Sequence, residues 1–339
     1  MVILSLLLWT KSNHFLLPDS FIFGISKINF MKRSFLYSLF FLFASIANGN
    51  NYSDTSSILG RWDITVNISG RDFPSWLEVN RSGIRTLVGE FVGTGGSARP
   101  VSKVNFSDGK LSFSIPPQWE WQSNDLNFEA TLQGDSLVGV ITLPDGRKCN
   151  CTAVHAPYLK RTTAPVWGKS TKLFNGTDLK GWHASGQTNQ WVVENGILKS
   201  PKPGSNIISD ATFTDFKLHV EFRVPVEGNS GVYLRGRYEV QIADYEKESS
   251  QKVQLGCIYG FIAPTEIRAK PGQWQTYDIT LTGRMVTVVL DGETIICNRE
   301  IPGITGGALN SHEGEPGPIM LQGDHHPIEY RNIVITPAK

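Results

Sequence analysis

The stretch Phe216-Lys-Leu-His-Val-Glu-Phe-Arg-Val224 alternates apolar and polar side chains at every step. Side chains of a β-strand point to opposite faces in turn, so this pattern predicts a strand with one buried and one solvated face. Similar short runs lie on both sides of it along the chain, separated by turn signals such as Asn195-Gly196 and Asp291-Gly292. No stretch shows a comparable helical period, so the sequence predicts an all-β protein.

The second half of the chain reads as a two-sheet antiparallel sandwich over residues 172–338. Its further predicted strands share short length and apolar periodicity, and they are residues 190–194, 276–281, 285–290, 293–296, 319–322 and 328–335. A polar, proline-containing segment at residues 159–171 has the composition of a linker.

The first half, residues 57–158, reads as an accessory antiparallel β-barrel-like domain. Its predicted strands share the same alternation, and they are residues 61–68, 76–79, 86–92, 110–115, 126–132 and 137–143. Turn signals such as Asp108-Gly109 stand between them, and short strands at regular spacing are typical of an up-and-down barrel. The opening Gly60-Arg-Trp62 resembles the start of lipocalin-like barrels.

The N-terminal region predicts export. A positive start at Met31 is followed by an apolar run from Phe35 to Ile46 and by the small residues Ala47 and Gly49. This is the layout of a secretory signal peptide at residues 31–49, and the run is too short for a stable membrane span. We therefore expect a periplasmic or extracellular protein, with residues 1–30 a start-site extension ahead of the natural start.

Composition excludes some classes of partner. Lys and Arg number 32 against 31 Asp and Glu, a net charge of +1 without a basic stripe, so no nucleic-acid partner is expected. The four cysteines are Cys149, Cys151, Cys257 and Cys297, and their spacing fits no zinc or redox motif. They read as small apolar residues of the core, and a disulfide between Cys257 and Cys297 stays open.

Polar side chains concentrate on two neighbouring strands of the predicted sandwich. In the run from Gly228 to Arg235, alternation places Asn229, Tyr233 and Arg235 on one face. In the run from Tyr238 to Asp244, Glu239 and Gln241 share a face. If the apolar faces pack inward, the outer face presents an aromatic ring, a guanidinium, a carboxylate and an amide together. Such a group suits a polyol, although a solvated ion pair or a structural polar network is the alternative.

Three other segments carry candidate residues. Tyr259 stands in Gly256-Cys-Ile-Tyr-Gly260, where glycines let a ligand approach the backbone closely. His325 follows Gln322-Gly-Asp in a turn and has a pKa range suited to proton transfer. In the first domain, Trp119-Glu-Trp121 reads either as a sugar-stacking platform or as a structural element, through ordinary barrel packing or as a barrel lid.

Several ordered motifs in the second half resemble the 3-keto-disaccharide hydrolase family, formerly a domain of unknown function. The matching stretches cover nearly all of that half, and they are residues 173–182, 229–235, 238–244, 258–260, 272–274, 321–325 and 330–333. The resemblance implies a concanavalin-like sandwich of jelly-roll type. It also implies cleavage of glycosides that are already oxidised at carbon 3 of the sugar. It implies a 3-keto sugar as substrate and an upstream sugar oxidoreductase that supplies it.

The resemblance also implies roles for single residues. We expect Arg235 to bind the ketone or enolate, and Glu239 and His325 to be the base and the acid in either order. Sugar hydroxyls would be held by the remaining candidates, which are Asn229, Tyr233, Gln241, Asp244, Tyr259 and Gln322. No cofactor is predicted; a divalent metal among Glu239, Asp244 and His325 stays open, although their spacing is no recognisable ligand motif.

Two other classes remain open from the sequence. The sandwich also suits a non-catalytic, lectin-like carbohydrate-binding protein, because this fold hosts binders as readily as enzymes. A cell-surface adhesion module is less consistent with the sequence, which has no repeats and no lipid-anchor cysteine. The pairing of Glu239 with His325 favours an enzyme, since a binder has no use for a proton-transfer pair.

Overall fold

The computed structural model describes residues 55–245 and 249–339. The predicted start-site extension and signal peptide lie outside these residues. The described chain is built from β-strands, with short 3-10 helices at Ser56–Ile58 and Gln251–Val253. The all-β prediction is thereby confirmed. No helix in the described ranges has the length and apolar character needed to cross a membrane.

The first half forms a closed antiparallel barrel in which each strand pairs with the next and the last returns to the first. Its strands are β1 (Gly60–Ile68), β2 (Arg71–Ser82), β3 (Thr86–Val92), β4 (Arg99–Ser107), β5 (Lys110–Ile115), β6 (Leu126–Gln133), β7 (Ser136–Thr142) and β8 (Lys148–His155). Closure removes free sheet edges, so every strand has two partners. The barrel interior holds its own apolar cluster, with Trp62 fully buried.

The second half forms two packed antiparallel sheets, one in the order β10-β13-β20-β15-β16 and the other in the order β11-β12-β21-β14-β17-β18-β19, with β9 beside β21. The strands are β9 (Thr171–Lys172), β10 (Trp182–Ala184), β11 (Val192–Glu194), β12 (Ile197–Ser200), β13 (Ile207–Phe213), β14 (Phe216–Arg223), β15 (Asn229–Leu234), β16 (Tyr238–Ala243), β17 (Gln275–Thr282), β18 (Met285–Leu290), β19 (Glu293–Glu300), β20 (Gly317–Leu321) and β21 (Ile328–Pro337). The predicted sandwich is present.

Local sequence explains these elements. The apolar positions of β14 are buried and its polar positions are not, as the alternation predicts. In the hairpin turns Asp108-Gly109 and Asp291-Gly292 both residues have positive φ, the geometry that two-residue hairpins require. All four cysteines are free, so the disulfide left open by the sequence is not formed.

An aromatic side chain of the barrel is inserted into the sandwich. Trp76 of β2 is fully buried and belongs to the sandwich core, together with Val92 of β3. Its ring meets Phe261 edge-on, with 5.3 Å between the ring centroids. A side chain at Gly303 would collide with it, because an added Cβ would lie 2.1 Å from Trp76 Nε1. The barrel and the sandwich therefore share part of one apolar core.

A polar cluster also joins the two domains. Asp63 of the barrel is buried against Glu313 of the sandwich, which pairs with the Arg284 guanidinium and accepts a 2.7 Å hydrogen bond from the Tyr238 hydroxyl. Burial, and then the charge of Glu313, raises the pKa of Asp63 to about 9. The raised pKa favours the protonated form of Asp63, which lessens repulsion between the two carboxyl groups.

The segment predicted as a linker is attached to the sandwich. Trp167 forms an antiparallel bridge with Ala338, and Lys217 Nζ lies 4.9 Å from the centre of the Trp167 ring. Arg161 pairs with the buried Asp215 at 2.6 Å. These contacts fix the position of the segment that connects the barrel to the sandwich.

Candidate functional site

The register of two hairpin strands places the central site residues side by side. Tyr233 of β15 stands opposite Glu239 of β16, and Gly231 stands opposite Gln241. Cross-strand partners project to the same face, so the Tyr233, Glu239 and Gln241 side chains meet, as the alternation predicted. Gly231 leaves room for the carboxyl, because an added Cβ there would lie 2.2 Å from Glu239 Oε1.

This face is buried, not exposed as expected from the sequence. Every residue of β15 and β16 is buried, since one face packs in the sandwich core and the other faces a covered pocket. The pocket has a volume of about 300 Å³, and its walls are Thr94, Gly95, Gly96, Asn206, Asn229, Tyr233, Glu239, Gln241, Tyr259, Gly306, Gly307, Gln322, Asp324 and His325. Seven of the predicted site residues line it.

Glu239 lies at the base of the site with its carboxyl removed from water. Its exposed fraction is 2%, and Oε2 accepts a 2.9 Å hydrogen bond from the Tyr233 hydroxyl. The Gln241 amide, with its nitrogen turned toward the carboxyl, lies 3.0 Å from Oε1. Burial raises the pKa of Glu239 to about 8, the Tyr233 hydrogen bond opposes the rise, and the charge of Asp324 adds to it. Glu239 is therefore mostly protonated at neutral pH.

His325 stands at the pocket wall as part of a pair. Its Nδ1 lies 2.6 Å from Asp324 Oδ1, and both side chains are about half exposed. The hydrogen bond to Asp324 raises the pKa of His325, and partial burial opposes the rise. The carboxylate also orients the imidazole, since it engages Nδ1 and leaves Nε2 for another partner.

The remaining pocket walls offer hydrogen-bonding groups. Gln322 is 7% exposed, and its Oε1 has no hydrogen-bond partner among the described residues. A buried polar atom without a partner is uncommon and costs free energy unless a ligand or water satisfies it. Asn229 and Tyr259 line the same space. These groups can satisfy the hydroxyls of a polyol.

Arg235 does not join this group, and the prediction that it shares the face of Tyr233 was wrong. Strand β15 ends at Leu234, and Arg235 has a φ of 53°, so the alternation stops one residue before it. Its guanidinium is buried elsewhere, where Nη2 donates to the Gly283 carbonyl oxygen at 2.8 Å and lies 3.1 Å from the Tyr238 hydroxyl. Arg235 thus supports the junction with the barrel rather than the pocket.

Asp244 is also outside the pocket lining. It lies beyond the end of β16, and its Oδ2 accepts a 3.0 Å hydrogen bond from the backbone of Glu227, which fixes a turn. The three residues considered for a metal, Glu239, Asp244 and His325, are therefore not brought together. Across residues 55–245 and 249–339, no three potential ligand side chains of the His, Cys, Asp and Glu type gather around one point.

The barrel supplies one wall of the pocket, which sequence reasoning missed. The loop Thr94–Gly96 leaves the end of β3 and lies against the sandwich so closely that an added Cβ at Gly306 would be 1.9 Å from the Gly96 carbonyl oxygen. A Cβ at Gly260 would likewise lie 2.5 Å from the backbone nitrogen of Ala98. These glycines let the backbones of the two domains touch and close the pocket over Glu239.

Asn206 and Asp324 were also missed. Asp324 precedes His325 directly, and a carboxylate beside a candidate proton-transfer histidine is a signal that the sequence contained. Asn206 carries no such signal, because it lies just before β13 and only the fold brings it against Gly323. There Asn206 Oδ1 accepts a 2.9 Å hydrogen bond from the backbone nitrogen of Gly323.

A concave pocket with a few convergent polar groups is typical of a site for a small molecule. Residues 169–336 match the family model described as the 3-keto-alpha-glucoside-1,2-lyase-like domain. The chain belongs to this family, which makes it a carbohydrate-active, hydrolase-like protein. No match is found among curated proteins.

Two of the similar solved structures come from the same organism. A provisionally assigned glycosyl hydrolase from Parabacteroides distasonis ATCC 8503 is 30% identical, with 53% of this chain and 93% of that chain covered and a TM-score of 0.43. A second such protein from the same organism is 24% identical, with 50% of this chain and 98% of that chain covered and a TM-score of 0.41. Both matches are about the size of the sandwich.

Proposed function

We propose that the protein cleaves 3-keto-glycosides, including 3-keto-disaccharides, by proton abstraction at carbon 2, elimination and water addition. The observation that carries this proposal is the buried Glu239, whose pKa is raised to about 8, in one pocket with the His325–Asp324 pair. Two groups that exchange protons near neutral pH, beside hydrogen-bonding amides, are the equipment that this chemistry needs.

The substrate ketone makes the reaction accessible to such a site. A carbonyl at carbon 3 acidifies the hydrogen on carbon 2, and a base removes that hydrogen to form an enolate. The enolate expels the oxygen substituent of carbon 1, which takes up a proton from an acid and leaves an enone. Water then adds its oxygen to carbon 1 and a proton returns to carbon 2, so the sum of the steps is hydrolysis.

The raised pKa of Glu239 supports one assignment of the two proton-transfer roles over the other. We assign the base to His325, whose imidazolium the Asp324 carboxylate stabilises once the proton has arrived. We assign the acid to Glu239, which holds its proton up to about pH 8. The reverse assignment needs an ionised Glu239 together with a protonated His325, and the raised pKa of the carboxyl makes that form the minor one at neutral pH.

The enolate oxygen needs hydrogen-bond donors, and Arg235 is too remote to be one. Neutral donors line the pocket instead, among them the Asn229 amide and the Tyr259 hydroxyl. Donors that are fixed in a pocket closed from water stabilise a developing negative charge more strongly than the same groups do in solution. Asn229 and Tyr259 are therefore our candidates for holding the oxygen of carbon 3.

A matched pair of substrates tests the proposal. We expect release of the aglycone from a 3-keto-glucoside and none from the parent glucoside, because only the ketone acidifies carbon 2. Product release is followed by mass spectrometry on both substrates under one set of conditions. Equal cleavage of the parent would contradict the elimination route and point to a glycosidase that uses Glu239 and Asp324 as paired carboxyls. Binding without cleavage of either substrate would point to a lectin-like protein.

The cellular setting is part of the same proposal. The 3-keto substrate has to come from a sugar oxidoreductase that oxidises carbon 3, so we propose such an enzyme upstream. The layout of residues 31–49 supports export to the periplasm or the cell exterior.

A further inference from the structure

Two tryptophans of one barrel loop are exposed, and one of them, Trp119, lies beside the pocket. Trp119 and Trp121 lie in the connection between β5 and β6, and their exposed fractions are 56% and 100%. Ordinary barrel packing, one of the sequence interpretations, would have buried them. A large ring left half in water has an apolar face free for a ligand.

Trp119 is in direct contact with the wall of the pocket. A Cβ added at Gly96 would lie 1.9 Å from Trp119 Cζ3, and one added at Gly95 would lie 3.8 Å from Cζ2. Both glycines line the pocket on the side that the barrel supplies. The indole therefore stands at the edge of the pocket, separated from its interior by the thickness of one backbone.

Hydrogen bonds hold the Trp119 loop to the pocket wall. Gln118 Nε2 donates to Ser97 Oγ at 2.6 Å, which joins the two loops directly. Glu120 Oε2 accepts hydrogen bonds from the backbone nitrogens of Gln118 at 2.7 Å and of Trp119 at 3.1 Å. The ring is thus fixed before a ligand arrives, which lowers the entropic cost of binding to it.

The small volume of the pocket limits how much of a substrate it encloses, and thus which part of the substrate lies near the Trp119 indole. Its volume of about 300 Å³ lies at the lower limit for small-molecule sites. A disaccharide whose oxidised ring lies beside Glu239 then extends its other ring toward the edge of the pocket. The exposed Trp119 face is an apolar surface at that edge.

We propose that Trp119 forms a platform for the leaving-group sugar of a 3-keto-disaccharide, whose apolar C–H face stacks on the indole. The inference rests on the proposed function, and it gives the barrel a role in choosing disaccharides over glycosides with a small aglycone. Trp119 is a specificity residue here, since it touches the sugar that leaves and takes no part in proton transfer.

The test compares two substrates in two variants. Trp119→Ala is expected to lower kcat/KM for 3-keto-trehalose by about 10-fold, as the loss of a buried aromatic contact does. The value for methyl 3-keto-glucoside should stay unchanged, because its aglycone does not reach the ring. Trp121→Ala is the matched control, since it removes the same side chain two positions away, where the indole is 100% exposed.

An equal loss for both substrates in Trp119→Ala, or an equal loss for the disaccharide in Trp121→Ala, would overturn the platform. A calorimetric titration with unoxidised trehalose separates this inference from the proposed function. If the parent protein cleaves no 3-keto-glycoside, the proposed function fails. Trehalose affinity still decides the platform in that case: a loss of about 10-fold in Trp119→Ala alone supports it, and an unchanged affinity overturns it.

Discussion

Glu239→Gln should lower kcat for a 3-keto-glycoside by about 10²- to 10⁴-fold, the usual worth of a positioned proton donor. The amide keeps the shape of the carboxyl and can still accept the Tyr233 hydrogen bond, so the pocket is expected to remain intact. What the variant lacks is the proton for the leaving oxygen. Steady-state kinetics on a saturating 3-keto-glucoside measures the loss, and a variant that works at the parent rate would remove Glu239 from the mechanism.

The pH dependence of activity in the parent protein shows whether Glu239 is the acid or the base. With His325 as base, activity rises as the imidazole loses its proton. With Glu239 as acid, activity falls as pH rises through about 8, the pKa of that carboxyl. The alkaline limb should disappear in Glu239→Gln. It should persist in the matched control Glu90→Gln, which alters a barrel carboxyl whose pKa burial also raises. Activity that keeps rising above pH 8 would make Glu239 the base.

Trp76→Ala is the change expected to cost most stability. The side chain is fully buried where the barrel enters the sandwich core, and truncating a buried tryptophan typically lowers the free energy of unfolding by about 3–5 kcal/mol. Activity should fall as well, because the cavity loosens the barrel whose Thr94–Gly96 loop closes the pocket. Denaturant unfolding and turnover measured on the same preparation check both effects.

Trp76→Phe is the control for that change. It keeps an aromatic ring for the edge-on contact with Phe261 and leaves a smaller cavity, so most of the stability and activity should return. A Trp76→Ala protein with unchanged stability would show that the barrel and the sandwich do not share a core.

Alternation made most of the fold predictable, because it reports which face of a strand is buried. β14 and β16 follow from it directly. Two barrel strands were not predicted. In β8, Cys149 and Cys151 occupy inward positions of a regular alternation; they were predicted to lie in the core but were not assigned to a strand. In β4, a proline and a register shift against β3 interrupt the pattern.

The candidate site was predictable only within a strand. Tyr233, Glu239 and Gln241 share a face because alternation and register are local properties. The position of Arg235 was not predicted because Arg235 and Gly236, both with positive φ, turn the chain at the strand end. The side-chain pattern does not reveal the φ of a non-glycine residue such as Arg235. The burial of this face and the pocket wall that the barrel supplies both depend on how the two domains pack together. The alternation of side chains along a strand carries no information about that packing.

The measurement that tests the central claim most directly is hydrolysis of a 3-keto-glucoside in heavy water, with authentic 3-keto-glucose incubated alone to measure spontaneous exchange. The account predicts released 3-keto-glucose that carries deuterium at carbon 2 beyond the exchange seen in that control, because the proton taken by His325 is replaced from solvent. Release of 3-keto-glucose with its original hydrogen at carbon 2 would contradict it, since the bond at carbon 1 would then break without an enolate.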